Sequence, residues 1–164
     1  MAGYYAYETQ REFVGGPYPY KHFAGFVDGM IFDRPITEIS AGEFKKFMDL
    51  YNVGWIIVHS DESKRYLQKV PEVVAIEQFN ELQTYKIERV HNYFLSGTGR
   101  VLERGHNKLV LGELSGNRVI VKYHYVPGLI SQPATQIAPA KMEGDPEPFI
   151  MISNPPRELR LFIP

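Results

Sequence analysis

The distribution of apolar and polar residues divides the chain into two halves of different character. Residues 40–90 carry helical and strand-like periods in the order helix, strand, helix, strand, strand. After residue 90 no ten-residue stretch has helical periodicity, and short strand-like runs alternate with turn residues. This pattern predicts an α+β fold in which a small βαβ-containing α/β layer packs beside an antiparallel, jelly-roll-like β-sandwich.

The first predicted helix begins after Ser40. Ser40 and Glu43 have the S-x-x-E spacing of a capping box, in which a hydroxyl and a carboxylate satisfy backbone donors at a helix start. One apolar face follows at helical spacing and consists of Phe44, Phe47, Met48 and Tyr51. Asn52 tolerates a left-handed backbone and is expected to end the helix. We expect the face, Phe47 included, to bury against the next strand.

The run over residues 53–59 is almost continuously apolar, which is typical of a strand that is covered on both faces at the centre of a sheet. Ser60 and the acidic residues after it should start a second helix. Two more strands, over 73–79 and 82–90, are expected to form a hairpin closed near Asn80. If the strands before and after the second helix run parallel, these three elements form a right-handed βαβ crossover.

The second half is expected to be all β. Its strand-like runs cover residues 108–114, 118–126, 149–152 and 159–163. The Ser115-Gly116-Asn117 segment between the first two runs is predicted to be a turn. We therefore predict an α/β subdomain over residues 1–92 and a β-sandwich subdomain over residues 93–164. The Tyr-, Gly- and Pro-rich N-terminal segment is expected to add strands to the sandwich.

Composition and charge exclude several classes of function. The 18 Lys and Arg residues nearly balance the 19 Asp and Glu residues, so no positive field recruits nucleic acid, and none is expected as a partner. The absence of cysteine excludes disulfides, thiolate nucleophiles and Cys-ligated zinc. The five histidines lack metal-ligand spacing, and no nucleophile elbow or phosphate loop occurs, so we predict no metal and no cofactor.

One stretch, residues 7–20, gathers tyrosine rings, carboxylates and a guanidinium beside the Gly15-Gly16 turn. Rings that stack on sugar faces and charged groups that bind hydroxyls are the components of a carbohydrate site. The candidate ligand-binding residues, two of them added by sequence proximity only, are Tyr7, Glu8, Arg11, Glu12, Tyr18, Tyr20, His22 and Asp28. The alternative is that the tyrosines pack on the sheet while Arg11 pairs with Glu8 or Glu12. No catalytic residue is assigned.

Four stretches carry a resemblance to a known arrangement. They are Arg-Glu-Phe-Val-Gly-Gly-Pro-Tyr at 11–18, Asp28-Gly29 with Phe32 and Arg34-Pro35, Leu-Tyr-Asn-Val-Gly-Trp-Ile-Ile at 50–57, and Val-Lys-Tyr-His-Tyr-Val-Pro-Gly-Leu at 121–129. Together they resemble the soluble C-terminal, extracytoplasmic region of bacterial polytopic membrane proteins of the YfhO-like and related glycosyltransferase-C-like group.

The resemblance implies that the chain is cut from a longer protein and lies on the extracytoplasmic face of a bacterial membrane. Its partners would be the upstream transmembrane helices of the parent protein, with a glycan or a lipid-linked sugar as ligand. Catalytic acidic residues would lie elsewhere in that protein. The expected function is therefore a non-catalytic, carbohydrate-binding or scaffolding role in cell-envelope glycan work.

Two other functions remain open from the sequence. The first is a freestanding glycan-acting enzyme that uses Glu8, Glu12 or Asp28. The second is a purely structural protein-interaction module. Because no catalytic signature occurs, we expect no turnover of generic glycoside or ester substrates by the isolated chain.

Overall fold

The computed structural model describes Glu12, Val14 and residues 29–31, 34–105, 107–143 and 145–164. The chain divides into two compact units, residues 1–91 and residues 92–164. The described part is mostly β with two α-helices, and all its paired strands are antiparallel. The prediction of a β-rich α+β fold is confirmed at this level.

Helix α1 (Ala41–Leu50) begins with the predicted capping box. The Ser40 hydroxyl accepts a hydrogen bond from the Glu43 backbone N–H at 3.2 Å, and the Glu43 carboxylate accepts one from the Ser40 backbone N–H at 2.9 Å. Asn52 follows the helix with φ at +53°, so its role as a left-handed terminator is also confirmed. Local sequence chemistry therefore sets both ends of this helix.

A salt bridge connects the start of α1 to the preceding ribbon, which consists of β1 (Met30–Ile31) and β2 (Arg34–Pro35). The Arg34 Nη1 atom lies 2.9 Å from Glu43 Oε1. The hydrogen bond from the Ser40 backbone and then the one from Arg34 lower the pKa of Glu43 from 4.5 to about 2. The carboxylate is thus held ionised where it caps the helix.

The remaining elements of the first unit are β3 (Trp55–Val58), α2 (Asp61–Leu67), β4 (Val73–Phe79) and β5 (Leu82–Ile87). Ser60 caps α2 by accepting a hydrogen bond from the Ser63 backbone N–H, as the sequence predicts. Strands β4 and β5 form the predicted hairpin, with Asn80 at φ +52° in its turn. The strand order is β3-β5-β4. Because β5 lies between β3 and β4, the direct parallel pair expected of the βαβ crossover is not formed.

Both helices contribute to one core on one face of this sheet. The core contains Ile31, Ile36, Ile39, Phe44, Met48, Ile56, Val58, Leu67, Val70, Tyr85 and Ile87. Phe44 is 1% exposed and meets the Tyr66 ring edge-on at a centroid distance of 5.5 Å. Phe47 is only half-buried at the margin of this core, so the prediction that it buries with Phe44 and Met48 is correct for those two alone.

Strand β3 differs from its prediction. It lies at an edge of the three-stranded sheet rather than at the centre, and its side chains alternate between buried and exposed. Ile56 and Val58 point into the core, whereas Trp55 and Ile57 are 49% and 52% exposed. The continuous apolar run is therefore covered on one face only among the described residues.

The second unit is built around one long strand. Its strands are β6 (Phe94–Arg104), β7 (Lys108–His124), β8 (Ile130–Gln132), β9 (Gln136–Ala140), β10 (Phe149–Ser153) and β11 (Glu158–Phe162). The first part of β7 pairs with β11 and its last part pairs with β10, both along the edge opposite β6. The outer edges of β11 and β10 pair with β8 and β9.

The predicted turn at Ser115-Gly116-Asn117 is instead a bend inside β7. Glu113 and Gly116 have φ values of +55° and +115° there, and the pairing register with β6 shifts at the same level. Gly97 of β6 faces the bend with φ at +70°, and a Cβ atom on it would lie 2.9 Å from the Ser115 carbonyl oxygen. Glycine is required at this position because both the backbone angle and the close approach exclude a side chain.

The described strands of this unit therefore form one bent, barrel-like sheet rather than two separate sheets. The bend brings buried side chains from both halves of β7 into one core, which contains Phe94, Leu109, Leu111, Leu114, Val119, Val121, Ile150, Ile152, Leu159 and Leu161. This sheet does not divide into the two packed layers that the predicted jelly-roll sandwich would have. The prediction that the N-terminal segment adds strands falls largely outside the described residues.

We predict that Phe44→Ala destabilises the first unit by about 3–5 kcal/mol, because it removes a fully buried ring. Phe47→Ala should cost less than half as much, since Phe47 is only partly buried. Urea denaturation followed by the fluorescence of Trp55 measures this unit specifically, because Trp55 is the only tryptophan. Phe79→Ala is the control and should stay within about 0.5 kcal/mol, since that ring is 69% exposed. Equal effects at Phe44 and Phe47 would contradict the packing described.

The depressed pKa of Glu43 predicts an acid-sensitive helix start. Because its pKa is lower in the folded chain than its ordinary value of 4.5, Glu43 stabilises the fold above pH 4.5, and this contribution is lost as the pH falls towards 2. Carboxyl NMR should give a titration midpoint near 2 for Glu43. In Arg34→Met the midpoint should rise but stay below 4.5, because the Ser40 backbone donor remains. A wild-type midpoint near 4.5 would show that the capping box is not formed in solution.

Candidate functional site

The sugar site predicted from the sequence lies almost entirely outside the described residues. Glu12 is the one described member, and it is exposed. The members outside the described part are Tyr7, Glu8, Arg11, Tyr18, Tyr20, His22 and Asp28. The sugar site formed by these side chains stays a prediction.

The most distinctive surface of the described residues is the face of the three-stranded sheet opposite the helices. Cross-strand pairing arranges its side chains in three rows. The rows are Trp55–Lys86–Val74, Ile57–Thr84–Glu77 and Leu82–Phe79. We call these eight residues the open face. Its five large apolar side chains are each at least 39% exposed. Clustered apolar exposure of this kind marks interaction surfaces, whereas single exposed apolar residues do not.

Antiparallel pairing explains why the open face is apolar. Successive residues of a strand point to opposite faces, so Ile56 and Tyr85 enter the core while their neighbours Trp55 and Lys86 face outward. In most one-sided antiparallel sheets the outward positions are polar. Here both outward positions of β3 and two of the three in β4 are apolar. The sequence therefore makes both faces of the sheet largely apolar. The described helices cover one face of β3 and β5, whereas β4 is exposed beyond its half-buried first residue.

The polar groups of the open face are few, and one of them is used within the sheet. The Thr84 hydroxyl donates to the Glu77 carbonyl oxygen at 2.9 Å and accepts from the Glu77 backbone N–H at 3.2 Å. These bonds hold the bulge of β4 against β5. Only the Lys86 ammonium and the Glu77 carboxylate then remain as polar side-chain groups directed to solvent on this face.

A second polar cluster surrounds Arg89, whose side chain is 8% exposed. Its guanidinium lies 2.9 Å from Asp49 Oδ1, donates to the Asn52 side-chain oxygen at 3.2 Å and donates to the Met48 carbonyl oxygen. Burial lowers the pKa of Arg89, and the charge of Asp49 opposes this shift. A cation at the C-terminal carbonyls of α1 stabilises the helix end, so this cluster has a clear role in the fold.

The space beside Arg89 is too small for a sugar ring. It measures about 20 Å³, which is room for about one water molecule. Apolar side chains from α1 and from the strands line it, among them Phe44, Val73 and Ile87. The Arg89 Nε atom is buried without a hydrogen-bond partner among the described residues. The cluster therefore offers no pocket for a carbohydrate.

A third polar cluster lies in the second unit. The His124 Nε2 atom is 2.8 Å from Asp145 Oδ2, and the other Asp145 oxygen accepts a hydrogen bond from the Glu147 backbone N–H at 2.8 Å. The Asp145 side chain is fully buried, and the His124 ring lies 4.8 Å from the Phe149 ring. These contacts fasten the segment before β10 to the end of β7. The pair is thus a structural tie between elements that are distant in sequence.

The described residues contain neither a metal site nor a membrane-spanning helix. Within the described ranges, no group of three or more His, Asp or Glu side chains is arranged to hold a metal ion. No helix among the described residues is long and apolar enough to cross a bilayer.

The open face was not predicted from the sequence. The run over residues 53–59 predicts a strand covered on both sides, and nothing in it shows which neighbours leave Trp55 and Ile57 exposed. The available signal was the equal apolarity of the alternate positions in β3 and β4, together with only two helices to cover them. Comparison of the chain with known protein families, with curated protein sequences and with solved structures finds no match.

Proposed function

We propose that this chain is a non-catalytic scaffolding domain that docks onto another protein through the open face. The observation that carries the proposal is the alignment of exposed apolar side chains on one side of a small, regular sheet. Removing such side chains from water contributes about 25 cal/mol per Å² of apolar surface, which favours docking onto another apolar surface.

A protein surface fits this face better than a carbohydrate. Sugar sites combine aromatic rings with several convergent hydrogen-bonding groups. On the open face the Thr84 hydroxyl is already bonded within the sheet, and the charged groups are limited to Lys86 and Glu77. Trp55 and Phe79 lie in the first and third rows, with Ile57 and Thr84 between them. The face therefore provides contact area but little hydrogen-bonding specificity.

The polar clusters of the described residues support a non-catalytic role. Arg89 stabilises the end of α1, and the His124–Asp145 pair fastens the segment before β10. Neither cluster lines a cavity that would hold a substrate. The competing enzyme hypothesis depends on Glu8, Glu12 and Asp28, of which only Glu12 is described, and it remains a separate prediction.

The cellular context of the proposal comes from the resemblance to the YfhO-like and glycosyltransferase-C-like group. In that context the chain would lie on the extracytoplasmic face of a bacterial membrane and belong to a longer protein with upstream transmembrane helices. Carbohydrate binding by the segment over residues 7–20 is compatible with docking by the open face. The two roles use different residues and are tested separately.

Trp55 provides a direct test because it is the only tryptophan and lies on the open face. At high dilution we expect red-shifted emission and efficient quenching by acrylamide. The apolar dye anilinonaphthalene sulfonate should bind, and Ile57→Ser with Leu82→Ser should reduce its binding severalfold. Val90→Ser is the matched control, since Val90 is 89% exposed and lies outside the sheet.

Two results would contradict the proposed function. Blue-shifted, unquenched Trp55 emission at high dilution would mean that the chain itself covers the face. A saturable change of Trp55 emission on titration with cell-envelope oligosaccharides would assign the face to carbohydrate instead.

A further inference from the structure

The open face carries two charges of opposite sign. Lys86 lies in the first row between Trp55 and Val74, and Glu77 lies in the second row beside Thr84. Both residues are exposed, and the remaining members of the face are apolar or hydroxyl-bearing. The face is therefore electrically neutral as a whole but has a positive and a negative point.

A neutral surface with one charge of each sign is complementary to itself. In a two-fold symmetric interface the same patch occurs on both subunits, so a contact between two residues forms twice. Such an interface needs both members of every ion pair on one patch, and the open face has them. A positively or negatively charged partner would leave either Lys86 or Glu77 opposed by a like charge or buried without a partner, which is costly.

We propose that a second copy of this chain covers the open face, with Lys86 of each copy paired to Glu77 of the other. This inference rests on the proposed function and names its partner. The sheets pack face to face, and Trp55 of each copy contacts the apolar side chains of the other.

The spacing of the rows permits this arrangement. The first and second rows are two residues apart along β3 and β5, or about 7 Å, and β4 has one extra residue between them in its bulge. Consider a two-fold axis that lies between the two packed sheets, runs parallel to the rows and passes midway between the first and second rows. This axis places the first row of one copy over the second row of the other. Lys86 then lies above Thr84 of the other copy. The adjacent Glu77 is one strand spacing away, about 5 Å, which a lysine side chain can span.

The small size of the face limits the strength of the dimer. Three strands about 4.8 Å apart give a face of roughly 15 Å in each direction. The area of such a face is well below the ~800 Å² that each partner buries in a standard stable interface. The dimer is therefore weak, and its test needs a concentration series that extends into the millimolar range.

The experiment is sedimentation analysis over such a series, with acrylamide quenching of Trp55 measured on the same samples. We expect a monomer with quenchable Trp55 at high dilution and a dimer with protected Trp55 at high concentration. Lys86→Glu and Glu77→Lys should each weaken dimerisation at least about tenfold, because each reversal replaces two attractive pairs with two repulsive ones. The double variant, with both reversals, should restore it.

The matched control is Lys69→Glu, a charge reversal at an exposed residue that follows α2 and lies outside the open face. It should leave dimerisation unchanged. Circular dichroism checks that each variant is folded. If one of the single variants does not fold, the double variant is compared with the wild type and with the other single variant.

Several outcomes would overturn the inference. A monomer at every concentration with quenchable Trp55 excludes the second copy, yet leaves the proposed docking function intact. Protected Trp55 in a dilute monomer overturns both. A dimer that tolerates the single reversals, or that the double variant does not restore, would show association through another surface, such as the edge of β3.

Discussion

A sheet has two faces, and the first unit of this protein has helices on only one of them among its described residues. Everything distinctive about the unit follows from this constraint. Antiparallel pairing of β3 and β4 with β5 fixes which side chains share a face, and the helices bury one set around Phe44 and Tyr85. The other set contains Trp55 and Ile57, whose apolar side chains remain in contact with solvent. The free energy gained when these side chains are buried is the physical basis of the proposed docking function.

Features set by local chemistry were predictable from the sequence. The capping box at Ser40 and Glu43 and the left-handed Asn52 each depend on residues within one or two turns of chain, and the structure contains them as expected. The hairpin around Asn80 has the same character. Helix burial was predicted less well, because helical spacing alone does not show where the core ends, and Phe47 lies at that limit.

Features that depend on pairing between distant segments were not predictable. A run of four apolar residues is compatible with a central or an edge strand, and only the order β3-β5-β4 shows that β3 is at the edge. The Ser115-Gly116-Asn117 segment has the composition of a turn, yet β6 pairs with β7 on both sides of it, and the connection from β10 to β11 lies along the opposite edge. There the Asn154 backbone N–H donates a hydrogen bond to the Asn117 carbonyl oxygen at 2.7 Å. The Leu114 backbone N–H donates one to the Arg157 carbonyl oxygen at 3.0 Å. The open face also depends on cross-strand register, which composition does not show. Composition instead favours the tyrosine-rich N-terminal segment as the candidate site.

Alternate residues of β3 face core and solvent, and the open face depends on this alternation. It is tested most directly by NMR relaxation of side-chain methyl groups in the dilute protein, with a soluble gadolinium chelate as the paramagnetic probe. The Ile57 and Leu82 methyl groups should relax strongly, whereas those of Ile56 and Val58 should be protected. If the Ile57 methyl groups were as protected as those of Ile56, β3 would be covered on both faces and no open face would exist for docking.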